Sequence, residues 1–316
     1  MSPRTTKKQK IFVAGATGIL GRRAVPLLVQ AGHDVTAIGR TPEKAAQLEA
    51  AGATPVAVDI FDAAAVKEAV DGHDVVANLA THIPGVTKMR MRSAWKENDR
   101  IRSEGSRNLV DAVLATGAQR YVQEQICFLY ADGGDAWLDE NSPMGAPDYV
   151  QSGLEAERQA QRVTDGGGVG VVLRFGMFHA PDSDQTQMFV RMARRRIMTM
   201  FGAKTAYTPT VMVDDCATAV VAALGAPAGI YNVVDDEPLT RADYAAALAD
   251  TLGVKTLRHP PKLATKAAGE QGDMLARSQR ISNRRFKDAT GWAPQYPSMR
   301  EGWPAIVSQM QDGDDA

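Results

Sequence analysis

Short runs of apolar residues, rich in valine and isoleucine, recur along the chain at 11–14, 34–38, 54–58, 74–79, 120–127, 169–175 and 230–233. Most are apolar without alternation, the pattern of strands buried on both faces of a parallel sheet. Alanine-rich stretches between them predict helices over 42–51, 62–70, 93–115 and 149–164. This alternation predicts right-handed crossovers and an α/β, doubly wound (Rossmann-type) parallel sheet. Beyond about Thr240 the pattern turns mostly helical and ends in "WAPQYPSMREGW". The segment "DGGGVG" reads as a turn between helix and strand rather than a linker.

Composition narrows the function classes. Lys+Arg 36 against Asp+Glu 37 leaves no global field that would favour nucleic acid or an anionic membrane. The start "MSPRTTKKQK" runs into "IFVAGATG" without the apolar stretch of a signal peptide. Cys127 and Cys216 are too few for a disulfide framework and lack metal-ligand spacing. The expectation is a cytoplasmic protein with reduced thiols, a small-molecule substrate, and neither nucleic acid nor membrane as partner.

The sharpest local signal is "IFVAGATGILGRR", in which Gly15, Gly18 and Gly21 follow a strand and open a helix. Gly15 permits the tight turn, Gly18 lets backbone approach a pyrophosphate, and Gly21 lets helix pack on strand. The positive end of that helix, with its unpaired amides, suits phosphates. Pro26 lies inside the same helix and should kink it or fall where an amide is not missed. A site selective for NAD carries an acid at the end of the second strand. Here that strand ends "AIGR", with Gly39 at the acid's position and Arg40 next. A guanidinium there can clasp a 2′-phosphate, and Arg22 or Arg23 is placed to add a second charge. NADP(H) is therefore expected over NAD(H), the alternative for Arg40 being a solvated loop arginine. Asp59 ends the third strand, either as acceptor for an adenine edge or as N-cap of the next helix.

The segments "GATGILG", "DVVANLAT", "EGSRNLVDAV", "RYVQEQICFLYA", "YVQSGLEAE", "VLRFGMFHAP", "VMVDDCATAV", "GIYNVVDDEP" and "RFKDATGWAPQYPSMREGW" resemble, in order and spacing, an extended short-chain dehydrogenase/reductase of the epimerase/dehydratase-like group. The resemblance covers nearly the whole chain. It implies an NADP(H)-binding core over 9–178, completed by about 211–236, and a substrate-binding region from 179–210 and 237–316. It also implies cofactor contacts from Ala16, Thr17, Ile19 and Leu20 in the glycine loop, and from Ile60, Leu79, Ala80 and Thr81 at strand ends. A homodimer through the helices over 93–115 and 149–164 is implied as well.

Departures from the family's pattern carry the chemistry. The hydroxyl position four residues before the tyrosine of "LYA" is Ile126, preceded by Gln125. The Tyr-x-x-x-Lys motif becomes Tyr149-x-x-x-Gly153, and Arg102 replaces an expected asparagine, with Asn98 one turn earlier. The missing lysine would have lowered the phenol's pKa and held the nicotinamide ribose. A phenol with pKa of about 10 donates a proton but is a poor base near neutrality. Tyr149 is thus expected to act as a neutral donor in reduction, with water, Arg102 or Asn98 in the space beside Gly153. Restoring lysine there is expected to help oxidation, provided the side chain fits.

Other candidates are suggested by position. Gln125 reads as a donor to a carbonyl oxygen or as a polar side chain at a strand end. His179 reads as a proton donor at the nicotinamide end or as a structural histidine. His82 reads as a cofactor neighbour or a loop residue. Glu124 reads as a buried acid with raised pKa or as an arginine's partner. Met188, Met192 and Met198 read as pocket lining or core, and Arg191, Arg194, Arg195 and Arg196 as a solvated face. Two functions are compatible with these residues. One is an NADP(H)-dependent reductase of a carbonyl or activated alkene in a small or medium organic molecule; the other is a non-catalytic NADP(H)-binding sensor or interaction protein. Retention of Tyr149 and of a full substrate region favours the enzyme.

Overall fold

A computed structural model describes residues 8–85, 88, 91–261, 265 and 269–314; the side chains of 149 and 312–314 lie outside the described residues. In chain order the strands begin β1 (Lys10–Ala14), β2 (Asp34–Ile38), β3 (Thr54–Val56), β4 (Val75–Asn78), β5 (Arg120–Ile126) and β6 (Trp137–Leu138). They continue with β7 (Val169–Phe175), β8 (Met177–His179), β9 (Thr210–Met212), β10 (Gly229–Val233) and β11 (Arg280–Ile281). The main sheet is parallel, in the order β10-β7-β5-β4-β1-β2-β3. β1 is central, with Val13 paired to Ala37 on β2 and to Ala77 on β4. The chain leaves β1 in one direction for β2 and β3, then returns to the other side at β4. That reversal opens a crevice beyond the carboxyl ends of β1 and β4.

Both faces of β1 are covered. Ile11 and Val13 join the core that includes Leu28 and Val220, whereas Phe12 and Ala14 join the one that includes Val66, Leu109 and Val113. Each buried Ile, Phe or Val contributes about 1.5–3 kcal/mol, which is why β1 reads as an uninterrupted apolar run. The covering helices are α1 (Gly21–Gln30), α2 (Pro42–Ala50), α3 (Ala63–Val70), α4 (Lys96–Arg100), α5 (Ser106–Thr116), α6 (Gln151–Asp165), α7 (Asp184–Arg194) and α8 (Val213–Ala223). Pro26 sits within α1 and removes one helical hydrogen bond. A further core gathers Phe189 of α7, Tyr244 and Leu248 of α9 (Arg241–Thr251), and Trp303 of the last helix, Met299–Asp314. The C-terminal region is helical as expected, apart from β11, which pairs with β6. No helix among the described residues is long and apolar enough to cross a membrane.

Two elements differ from the sequence pattern. The third strand stops at Val56 rather than Val58, and the Asp62 carboxylate caps the following helix through Ala64 N and Ala65 N at 3.1 Å. The helix expected over 93–115 is broken. It comprises a 3-10 turn at Arg92–Trp95, then α4, a π-turn at Ile101–Gly105, and α5. A π-turn inserts one extra residue per turn and rotates the helix beyond it; here it carries Arg102, which is buried beneath the end of β5.

Candidate functional site

The glycine loop lies in the crevice. Gly15 has φ +79, and a Cβ there would run into the backbone of Leu79 and Ala80 at the end of β4. Gly21 is equally confined, because a Cβ would strike the Gly15 carbonyl. The loop is closed by Gly18 N donating to Gly15 O at 3.1 Å, and α1 begins with Arg22 N donating to Gly18 O at 3.0 Å. These constraints leave a backbone cradle at a helix N-terminus, the form that holds a pyrophosphate. The cleft above it measures about 300 Å³ and takes Gly15, Thr17, Gly18, Ile19, Leu20, Arg40, Ile60, Leu79, Ala80, Thr81 and His82 from the predicted set.

Three predicted positions do not line it. Ala16 is packed in the core and Gly21 lies beneath the loop. The Asp59 carboxylate accepts Phe61 N at 3.1 Å and stands outside the lining, and its reading as N-cap fails because Asp62 is the N-cap.

At the far end Arg40 is joined by Lys44, from the first turn of α2, which sequence reading missed. Arg40 precedes the extended N-cap Thr41, so no helical spacing ties it to Lys44 and the pairing is set by the turn into α2. Gly39 sits close against α2, where a Cβ would lie 2.9 Å from Leu48 Cδ1 and displace that methyl group. Arg22 and Arg23 do not add charge at this end. Arg22 pairs with Asp182 at 2.6 Å, and Arg23 pairs with Asp214 at 2.7 Å and Asp182 at 2.8 Å.

Beyond Ile19, Thr81, Glu124 and Phe178 the cleft opens into a second cavity of about 220 Å³, which shares those four residues. Its walls are mainly apolar, with Trp95, Phe128, Phe175, Met177, Met274 and Leu275; Asn98, Arg102, Gln125 and Gln271 add polar groups. Most of these come from separate elements without a local motif, so sequence reading missed them. Met198, just beyond α7, is buried and Met188 of α7 packs on the same core, so these two take the core role; Met192 is half-buried outside it, while Arg191 and Arg194–Arg196 face solvent.

The space beside Gly153 is occupied by neither Arg102 nor Asn98. It holds the carboxamide of Gln125, and a Cβ at Gly153 would lie 2.7 Å from Oε1, 2.9 Å from Cδ and closer still to Nε2. Asn98 instead accepts His82 N at 3.0 Å. Arg102 acts from behind, donating to Gln125 Oε1 at 2.9 Å and to Glu124 Oε2 at 2.8 Å. Glu124 is thus an arginine's partner, with its carboxyl pushed up by burial and pulled back by the guanidinium. Tyr149 is in the 3-10 turn Asp148–Val150 next to Gly153; its side chain lies outside the described residues.

His179 is not at this site, contrary to its reading as a proton donor. It ends β8 fully buried in the core around Trp303, whose ring centroid is 5.2 Å away. Nδ1 lies 2.9 Å from the Met177 carbonyl and must donate to it, leaving Nε2 to accept from the Tyr244 hydroxyl at 2.6 Å. Burial lowers its pKa from 6.5 to about 4. The unfolded chain therefore takes up a proton between pH 6.5 and 4 that the folded chain refuses, and stability falls as pH drops through that window. The contribution is about 3 kcal/mol. Urea unfolding at pH 7 and pH 4.5 should show a smaller acid loss for His179→Gln than for the wild type. Equal losses would refute the assignment.

Comparison with known proteins agrees with this geometry. A family model described as NAD(P)H-binding matches residues 15–227, well over half of the chain. The chain belongs to this NAD(P)H-binding family, with the fold of the extended short-chain dehydrogenases/reductases. A 3-diazoavenalumate denitrifying reductase from Streptomyces sp is 32% identical over 93% of this chain and 98% of its own length. A ketoreductase of a farnesylated dihydroquinoline-1-oxide from Stigmatella aurantiaca is 26% identical over 85% of this chain and 81% of its own. Among solved structures, human epimerase family protein SDR39U1 with NADPH superimposes with a TM-score of 0.76 at 23% identity, covering 95% of this chain and 99% of that one. As a member of this family with reductase relatives, the chain is an NAD(P)-dependent oxidoreductase, and the sensor reading gives way.

Proposed function

We propose that this short-chain dehydrogenase/reductase is an NADP(H)-dependent reductase of a largely apolar aromatic molecule, with Tyr149 as the neutral proton donor. The observation that carries the reading is the apolar cavity joined to the glycine-loop cleft through Ile19, Thr81, Glu124 and Phe178. The backbone cradle at Gly15 suits a dinucleotide pyrophosphate, Arg40 and Lys44 would hold a 2′-phosphate, and the four shared residues would flank the reactive end. When bound, the reduced nicotinamide supplies hydride. The apolar walls exclude water and orient the acceptor. A homodimer through α5 and α6, as the resemblance implies, would bring together faces carrying the Arg162–Asp111 and Arg158–Glu155 ion pairs.

The two reductase relatives name different reducible groups, a diazo compound and a ketone. The purified chain should oxidise NADPH with a panel of neutral aromatic ketones or with an aromatic diazonium salt. Tyr149→Phe separates the two. Ketone reduction makes an alkoxide that needs a proton and should fall about 100-fold. A diazonium carbon that loses dinitrogen on taking hydride needs none, and that rate should hold. For a ketone, the wild-type rate should stay level across neutral pH and decline only near the phenol's ordinary pKa of about 10. Binding of NADPH without its oxidation by any panel member would overturn the reading.

Cofactor choice rests on Arg40. NADPH should bind more tightly than NADH, and Arg40→Ala should weaken NADPH by about 1.5–3 kcal/mol while leaving NADH little changed. Fluorescence titration of both cofactors measures this, and equal wild-type affinities would refute it.

A further inference from the structure

The Gln125 carboxamide is held in one orientation. Its Oε1 lies 2.9 Å from Arg102 Nη1 and 2.9 Å from Ile126 N. A guanidinium and a backbone amide only donate, so the atom facing both must be the acceptor oxygen, and the amide cannot be reversed. Nε2 is therefore fixed at the other end. It is buried and has no partner among the described residues, while Gln125 itself is 1% exposed and lines the apolar cavity. A buried donor without a partner is unfavourable unless something else accepts from it. None of the polar groups that line the cavity with it, Asn98, Ser152 and Gln271 among them, accepts from Nε2, which leaves that position to an acceptor carried by a ligand.

Arg102, itself part of the cavity wall, sets this arrangement. The π-turn at Ile101–Gly105 carries it beneath the end of β5. Glu124 Oε2 at 2.8 Å and the Glu124 carbonyl at 3.3 Å hold the guanidinium in turn. Gly153 completes the arrangement by leaving the volume in which the carboxamide lies.

We propose that Arg102 is a positioning residue that locks the Gln125 carboxamide, so that its Nε2–H donates to the oxygen or nitrogen acceptor on the reducible group of a neutral aromatic ligand in the cavity. The proposal rests on the reading of that cavity as the substrate site. A fixed amide N–H stabilises developing charge without giving up its proton, which sets it apart from the hydroxyl expected at the Ile126 position.

Binding tests this without turnover. The full chain saturated with NADP+ is titrated calorimetrically with 4-hydroxyacetophenone and with 4-ethylphenol, which have similar shapes but only one of which carries a carbonyl. The wild type should prefer the ketone by about tenfold, the value of one hydrogen bond. Gln125→Glu keeps an oxygen facing Arg102 and Ile126 N but has no N–H, so it should lose the preference while holding 4-ethylphenol as before. Arg102→Leu should lose it as well. Should that variant fail to fold, Gly153→Ala, which displaces the carboxamide while leaving the Arg102–Glu124 pair intact, gives the same readout. Equal wild-type affinities, or binding of neither compound, overturn the proposal. A preference retained in Gln125→Glu overturns the donor, and one retained in a folded Arg102→Leu overturns the positioning role. A preference that behaves as described, together with no NADPH oxidation on any panel, would leave the donor standing and remove the reductase reading.

Discussion

Gly153→Lys should inactivate the protein instead of restoring a conventional Tyr–Lys pair. From sequence the glycine looks like a vacancy into which the family's lysine would return. In the structure the first atom of that side chain already meets the Gln125 carboxamide, with Oε1 2.7 Å and Cδ 2.9 Å from a Cβ at 153. Crowding of this kind costs about 1–3 kcal/mol. The ammonium would also be introduced next to the carboxamide that Arg102 already binds at 2.9 Å, bringing a second cation to a buried site where the Glu124 carboxylate is already paired. Like charges in such a place disfavour one another. We therefore expect NADPH oxidation to fall about 100-fold or more, the scale of a displaced catalytic group, with a lowered melting temperature. Gln125→Ala in the same chain should relieve the crowding and recover melting temperature but not rate, because Arg102 remains. Wild-type turnover in the single variant would show that the carboxamide moves aside freely.

Removing the guanidinium has the second large effect. The Arg102–Glu124 pair is buried, with side chains 4% and 6% exposed, and joins the helix after β4 to the end of β5. Arg102→Leu leaves Glu124 without its partner at the junction of the two cavities. Breaking a buried pair from one side costs about 3–5 kcal/mol. The double replacement Arg102→Leu, Glu124→Leu buries no charge and should unfold in urea at a midpoint much nearer the wild type's, because burying the pair forfeits much of what its attraction gains. A loss under about 1 kcal/mol in the single variant would mean that water reaches Glu124, as at a surface pair. Comparing the double with each single isolates the coupling between the two side chains.

What the sequence determined by itself is local. The apolar runs, the helices between them and the Gly15–Gly21 loop were legible because strand burial, helix spacing and a phosphate cradle each depend on residues a few places apart. The same holds for Gly39 and Arg40, which are adjacent in the chain. The tertiary structure decided everything that depends on side chains meeting across elements. Arg102, Gln125 and Gly153 come from a π-turn, a strand end and a helix, and no periodicity links them; only the sheet order brings α6 and the end of β5 together. His179 was misplaced for a related reason: counting forward from β7 reaches the nicotinamide end, but β8 pairs with β9 and carries the ring into the core around Trp303. Arg22 and Arg23 lie beside the glycine loop in sequence, yet they are drawn to Asp182 and Asp214 by ion pairs that form only once α8 and the loop after β8 have come against α1. A residue's chemistry is written in the chain, but its partner is chosen by the fold, because burial removes water as the alternative and makes whichever charge or amide lies within reach the one that counts.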